Sequence, residues 1–118
     1  MDEEWRERIE RLEFHQKLLM ELIEEKHPFY RLIIKRKITE KEMSKLYSLC
    51  AVLERKLAEE RKQGMVYHGE LLDEFIGELN PKLNPEETIM ALKKQGLYID
   101  LVTVLQDRIR ERRIGGND

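Results

Sequence analysis

The sequence predicts an all-α, multihelical single domain of five or six helices, led by a long amphipathic helix at the N-terminus. Three observations carry that prediction. Helix start and stop signals stand at Thr39, Gly64 and Asn84-Pro85. Between them apolar residues recur three and four apart, the period of a helix with one buried face. No segment alternates apolar and polar residues over more than a few positions, as a half-buried strand does. The balance agrees: 39% of the chain is charged and only 7% aromatic, which suits helices with long solvated faces.

The first helix is expected from about Asp2 to Lys26. Trp5, Ile9, Leu12, Leu19 and Ile23 follow one another at intervals of 4, 3, 7 and 4, with Gln16 at the missing place. This is a heptad seam with one polar layer. Phe14, Leu18 and Leu22 form a second stripe beside it, and Glu4/Arg8, Glu7/Arg11 and Glu13/Lys17 are acid-before-base pairs that support an exposed helix. His27-Pro28 ends the helix, because proline lacks an amide hydrogen and drives the residue before it away from helical geometry. The same proline can open a short apolar helix through Phe29, Leu32, Ile33 and Ile34, stopping in Lys35-Arg36-Lys37.

Thr39 to Glu42 is a capping box, with hydroxyl and carboxylate each accepting from the other residue's amide. The helix it opens carries Met43, Leu46, Cys50, Leu53 and Leu57 at steps of 3, 4, 3 and 4, with Leu49 and Val52 widening the stripe, and runs to about Gln63 before Gly64. Met65 to Gly69 is a connector. A short helix from about Glu70 to Leu79 presents Leu71, Leu72, Phe75, Ile76 and Leu79. Asn84-Pro85-Glu86-Glu87 combines a cap, a proline at the first position and acid in the first turn. The helix it begins carries Ile89, Met90, Ala91 and Leu92 to Gln95-Gly96. A last helix, from about Leu97 to Arg112, lines up Tyr98, Leu101, Val102, Leu105 and Ile109. The domain is expected to span 1–114, with 115–118 a frayed tail.

Composition limits function. A chain of 118 residues is one domain's worth, burying roughly 65% of its unfolded surface. Lysine and arginine total 22 against 24 acids, a net charge of -2, which argues against nucleic acid as the main partner. The acidic N-terminus is no signal peptide and no apolar run spans a bilayer, so the expected compartment is the cytoplasm, with no membrane contact. Cys50 is the only cysteine and falls on an apolar stripe, which reads as a buried small residue rather than a nucleophile.

Chemistry-bearing motifs do not emerge. His15, His27 and His68 sit on three segments, and the one Glu-x-x-His spacing, Glu24 to His27, runs into Pro28 and has no second copy. Glu86 and Glu87 are first-turn acids favoured by the helix dipole, and Asp73 and Glu74 fall on a polar face. Glycines are scattered rather than gathered into a phosphate loop. No catalytic residue, metal or cofactor is expected, and the chain reads as a non-enzyme. Two basic clusters, Lys35-Arg36-Lys37 and Arg108, Arg110, Arg112 and Arg113, are accounted for by helix C-termini; the alternative is an anion or nucleic-acid contact. Asn84 to Arg112 loosely has a helix-turn-helix outline, but Asp100 and Asp107 in the second helix would repel phosphates.

The blocks Arg8-Ile9-Glu10-Arg11-Leu12-Glu13, His27-Pro28-Phe29-Tyr30, Leu71-Leu72, Phe75, Leu79-Asn80, Glu87-Thr88-Ile89, Ala91-Leu92 and Gln95-Gly96-Leu97-Tyr98 stand in an order that resembles the YhaI-like family of small Bacillus-type proteins, over most of the chain. That family is a domain of unknown function. The resemblance implies a multihelical fold and self-association, and brings no catalytic residues.

The first helix carries the functional expectation. A helix with two apolar stripes needs partners on both sides, and a lone chain of this size leaves one of them in water. Homo-oligomerisation through Trp5, Ile9, Leu12, Gln16, Leu19 and Ile23 is therefore expected. Isoleucine and leucine in the seam allow a dimer or a trimer, and Gln16 can set register by meeting its own symmetry copies. A further protein partner has room. The alternative is that the short second helix and the C-terminal helix cover both stripes within one chain.

Overall fold

The computed structural model describes residues 2–23, 25–64 and 68–115. All regular structure among them is helical: α1 (Glu3–Leu22), α2 (Pro28–Lys35), α3 (Glu40–Lys62), α4 (His68–Glu78), α5 (Pro85–Gln95) and α6 (Ile99–Gly115). The connector residues Met65 to Tyr67 and the tail at 116–118 lie outside the described residues.

The caps form as their residues dictate. The Asp2 carboxylate accepts from the Trp5 amide at 3.1 Å to open α1. At α3 both halves of the box close: the Glu42 amide donates to Thr39 Oγ1 at 3.1 Å and the Thr39 amide to Glu42 Oε1 at 2.9 Å. Asn84 Oδ1 accepts from the Glu87 amide at 3.0 Å. Gly64 and Gly96 leave their helices with φ of 74° and 81°, where a β-carbon is strained. After Gly96 the Leu97 amide donates back to the Leu92 carbonyl at 2.9 Å, a Schellman closure.

The largest departures from the expected boundaries are at two helix ends. α1 ends at Leu22 rather than at Lys26, with Ile23 extended (φ -69°, ψ 118°). The last turn holds no basic residue, while Glu21 lies in it and Glu25 beyond it, so the negative end of the helix dipole meets like charge. α6 runs to Gly115, past the expected stop at Arg112, and its final turn is held by ion pairs from Arg112 to Asp73 on α4 and from Arg113 to Glu86 on α5.

α2 to α6 build a body around one core. α5 packs on both α2 and α6, and α4 packs on α3 and α6. Phe29, Cys50, Leu53, Phe75, Leu92, Leu101, Val102 and Leu105 are sealed from solvent at its centre. The start of α2 is closed from a distance. His27 supplies no side-chain cap, and Gln95, the last residue of α5, accepts from the Phe29 and Tyr30 amides at 2.8 and 3.1 Å. At the other end Lys37 takes a left-handed φ of 56°, and the Ile38 amide donates to the Ile33 carbonyl at 3.0 Å.

α1 stands apart from this body: none of its residues is buried. The radius of gyration is 17.9 Å and the long axis 62 Å, against about 13 Å expected for a compact chain of this length. A helix of 20 residues is about 30 Å long, which accounts for the excess.

Candidate functional site

The seam expected on α1 exists and is open. Trp5, Leu12 and Leu19 are 53%, 63% and 62% exposed, and Ile9 is also exposed. Phe14, Leu18 and Leu22, the second stripe, face solvent as well. Covering of both stripes within one chain, by α2 and α6, does not occur. Gln16 keeps its place in the seam and is exposed. Ile23 does not: with α1 ending at Leu22 it leaves the helix and is half-buried. The helical seam is therefore Trp5, Ile9, Leu12, Gln16 and Leu19. The Arg8 guanidinium lies over the Trp5 ring, 5.1 Å from its centre, so the seam's first aromatic carries a cation on its flank.

Among the described residues of α1 Met20 alone is half-buried, beside Pro28, Arg31 and Leu32 of α2 and Met90, Ala91 and Lys94 of α5. Met90, unlike its neighbours Ile89, Ala91 and Leu92, is half-exposed.

The two basic clusters are brought to neighbouring carboxylates. Arg36 holds Glu87 in a fork, with Nη2 donating to Oε1 and Oε2 at 3.1 and 3.2 Å and Nε donating to Oε1 at 3.3 Å. Arg113 pairs with Glu86. Arg112 reaches Asp73 at 2.8 Å, Arg108 reaches Glu111 at 2.9 Å, and Arg110 lies 3.6 Å from Asp107. Both clusters thus send an arginine to the first turn of α5, where Glu86 and Glu87 compensate the helix dipole. An anion would have to displace a carboxylate from each of these guanidinium groups. Lys35 and Lys37 remain exposed beside them.

The same arithmetic ties the helix-turn-helix outline down. Gln106, on the face a reading helix would present, accepts from Lys93 Nζ at 2.7 Å and locks α6 to α5.

Polar chemistry elsewhere is structural. Glu42 accepts from Asn80 Nδ2 and Lys82 Nζ, both at 2.8 Å, besides closing its capping box. The Lys82 ammonium, the Thr39 amide and the Asn80 amide together pull its carboxyl down from 4.5 to about 2. Cys50 is sealed in the core, and burial, aided by the charge of Glu54, pushes its thiol up to about 12. Phe29, Tyr47 and Tyr98 pack as tilted rings about 6 Å apart, with burial raising both phenols. Among the described residues no group of three or more His, Cys, Asp or Glu side chains gathers to hold a metal ion. Glu24, the carboxylate of the single Glu-x-x-His spacing, lies outside the described residues, and of His68 only the backbone is described. Among the described residues no helix is long and apolar enough to cross a membrane.

Fold and surface together define a class: an all-α protein with a closed helical body and an uncovered amphipathic helix leading from it. The chain belongs to the family of proteins of unknown function designated DUF1878, whose family model matches residues 1–110. The match spans α1 and the body alike and leaves out only the end of α6 and the tail.

Proposed function

We propose that this protein is a non-enzymatic helical protein of the cytoplasm that acts by self-association and protein–protein contact through α1. One observation carries the reading: a helix of 20 residues, rich in large apolar side chains, buries none of them in its own chain. Each such side chain gains roughly 1.5–3 kcal/mol on full burial. Most helical stability in proteins comes from packing an amphipathic face, which α1 does not do within its own chain, so its apolar side calls for a partner. The YhaI-like, Bacillus-type resemblance points the same way, and the assembly is a dimer or a trimer.

Sedimentation equilibrium tests the reading. At tens of micromolar the wild-type chain is expected at a multiple of 14.3 kDa, and Ile9→Lys combined with Leu12→Lys at the monomer mass. A wild-type monomer, or unchanged assembly of the double variant, would overturn it.

The second reading, anion or nucleic-acid binding at Lys35 to Lys37 and Arg108 to Arg113, rests on those residues' charge. The carboxylate partners of Arg36, Arg108, Arg110, Arg112 and Arg113 weigh against it. Salt-dependent retention on DNA or RNA, lost when Arg108 and Arg110 become Ser, would favour it over self-association.

A further inference from the structure

We propose that copies of this chain pair through α1 in parallel and in register, so that their α2–α6 bodies hang from the same end of a shared stalk. The inference rests on the self-association reading and adds orientation and register, which the seam alone leaves open.

The charges beside the seam carry it. Ile9 and Gln16 occupy the first apolar position of the heptad, and Trp5, Leu12 and Leu19 the fourth. The flanking positions are then Arg6, Glu13 and Met20 on one side and Arg8, His15 and Leu22 on the other. Of these, Arg6, Arg8, Glu13, His15 and Leu22 are exposed. In a parallel pair a residue on the second flank meets the residue five positions later on the first flank of its neighbour. Arg8 therefore meets Glu13 of the second copy, and symmetry makes the contact twice in a dimer. The next contact joins His15 to Met20 and sets no like charges together. Within the seam Gln16 meets Gln16, each able to donate and accept, and Leu12 meets Leu12.

The antiparallel alternative loses these pairings. One antiparallel register sets Ile9 against Leu19 and buries Gln16 against Leu12, where its amide has no polar partner. It also brings Glu13 beside Glu13 and His15 beside His15. Sliding by one heptad places Arg6 beside Glu13 and Ile9 against Leu12, but sets Leu19 against Asp2 and Gln16 against Trp5, which leaves Leu19 without an apolar partner and separates Gln16 from its own copy.

Charge reversal and cross-linking test orientation separately from assembly. Arg8→Glu and Glu13→Arg are each expected to weaken self-association about tenfold, by turning two attractive contacts into two repulsive ones. The double variant Arg8→Glu with Glu13→Arg is expected to return to within a few-fold of wild type, and the two single variants when mixed are expected to prefer each other. All are surface changes, and an unchanged thermal transition of the body verifies that folding is intact. Leu12→Cys is expected to oxidise to a disulfide-linked dimer; Cys50, buried with a raised thiol, does not compete. A chain that assembles but links an Ile9→Cys copy to a Leu19→Cys copy, and fails to regain affinity in the double charge variant, would overturn the parallel arrangement and leave self-association standing. A monomer at every concentration would overturn both.

Discussion

α1 and α5 are both helices announced by clear local signals, yet their fates in the fold are opposite. α5, with 11 residues, buries Thr88, Ile89, Ala91 and Leu92 between α2 and α6. α1, with 20 residues, buries nothing. Capping and periodicity decide that a helix forms and which of its faces is apolar. What the face meets depends on the connections. The α5–α6 turn at Gly96 to Tyr98 is short and conformationally pinned, with left-handed geometry at both Gly96 and Tyr98, so α6 must fold back on α5. The chain instead leaves α1 extended at Ile23, and none of the helix's own residues is buried.

Truncating one apolar residue on each side of that divide tests the contrast most strongly. Phe75, fully enclosed between neighbouring helices, should cost about 3–5 kcal/mol when changed to Ala, read as a shift of the urea midpoint followed by far-ultraviolet circular dichroism. Leu12→Ala, at 63% exposure, should leave the unfolding of the body unchanged and lower the assembly constant instead. The chain supplies its own reporter for the second event. Its single tryptophan is on α1 and all four tyrosines lie beyond that helix. Trp5 emission is expected to shift to the blue as protein concentration rises, while tyrosine signals stay constant. A body destabilised by Leu12→Ala would mean that α1 is part of the core after all.

The next test concerns Gln95, which joins α5 to the start of α2. Its side-chain oxygen is the acceptor for two amides that α2 cannot satisfy itself. Gln95→Ala is expected to lower stability by about 1–2 kcal/mol, and Gln95→Glu to preserve most of it, because a carboxylate accepts at least as well. Loss of equal size in both variants would show that packing, not capping, is the role of this residue.

Gln95 also marks where legibility in the sequence ends. The caps at Thr39 and Asn84 and the stop at Gly64 are legible because donor and acceptor lie within a few residues of each other. Cys50 and the stripe Leu46, Leu53 and Leu57 are legible because one face must be buried. The Gln95 cap spans 66 residues and the Arg36–Glu87 fork 51, and no local pattern pairs them. Lys37 and Tyr98 take left-handed geometry that a glycine would have advertised. The end of α1 is hidden for another reason: Pro28 is the obvious stop, but charge at the helix end acts a turn and a half earlier. The candidate surface was legible as a pattern of residues on α1. That one stripe stays open follows from the size of the chain; that both are open was not legible, because it depends on where the other helices go.

The smallest effect is expected at Glu42, and pH isolates it. This carboxylate ties the first turn of α3 to Asn80 and Lys82 in the loop before α5. Lys82, the Thr39 amide and Asn80 hold its folded value near 2, below the ordinary 4.5. A depressed carboxylate binds its proton more weakly in the folded state than in the unfolded one. Its contribution to stability is thus fully present above about 4.5 and is lost as pH falls toward 2. Glu42→Gln keeps an acceptor for the Thr39 amide and removes the titration. Wild type and variant should therefore differ most near neutrality and converge between pH 4.5 and 2, with the variant the weaker at neutral pH. The side chain is partly open to water, so the neutral-pH difference should be smaller than that of Gln95→Ala. Because Glu42 lies wholly within the body, the convergence should appear in the urea midpoint and leave the assembly constant of α1 untouched. A pH-independent gap between the two proteins would assign the effect to lost hydrogen-bond geometry rather than to charge.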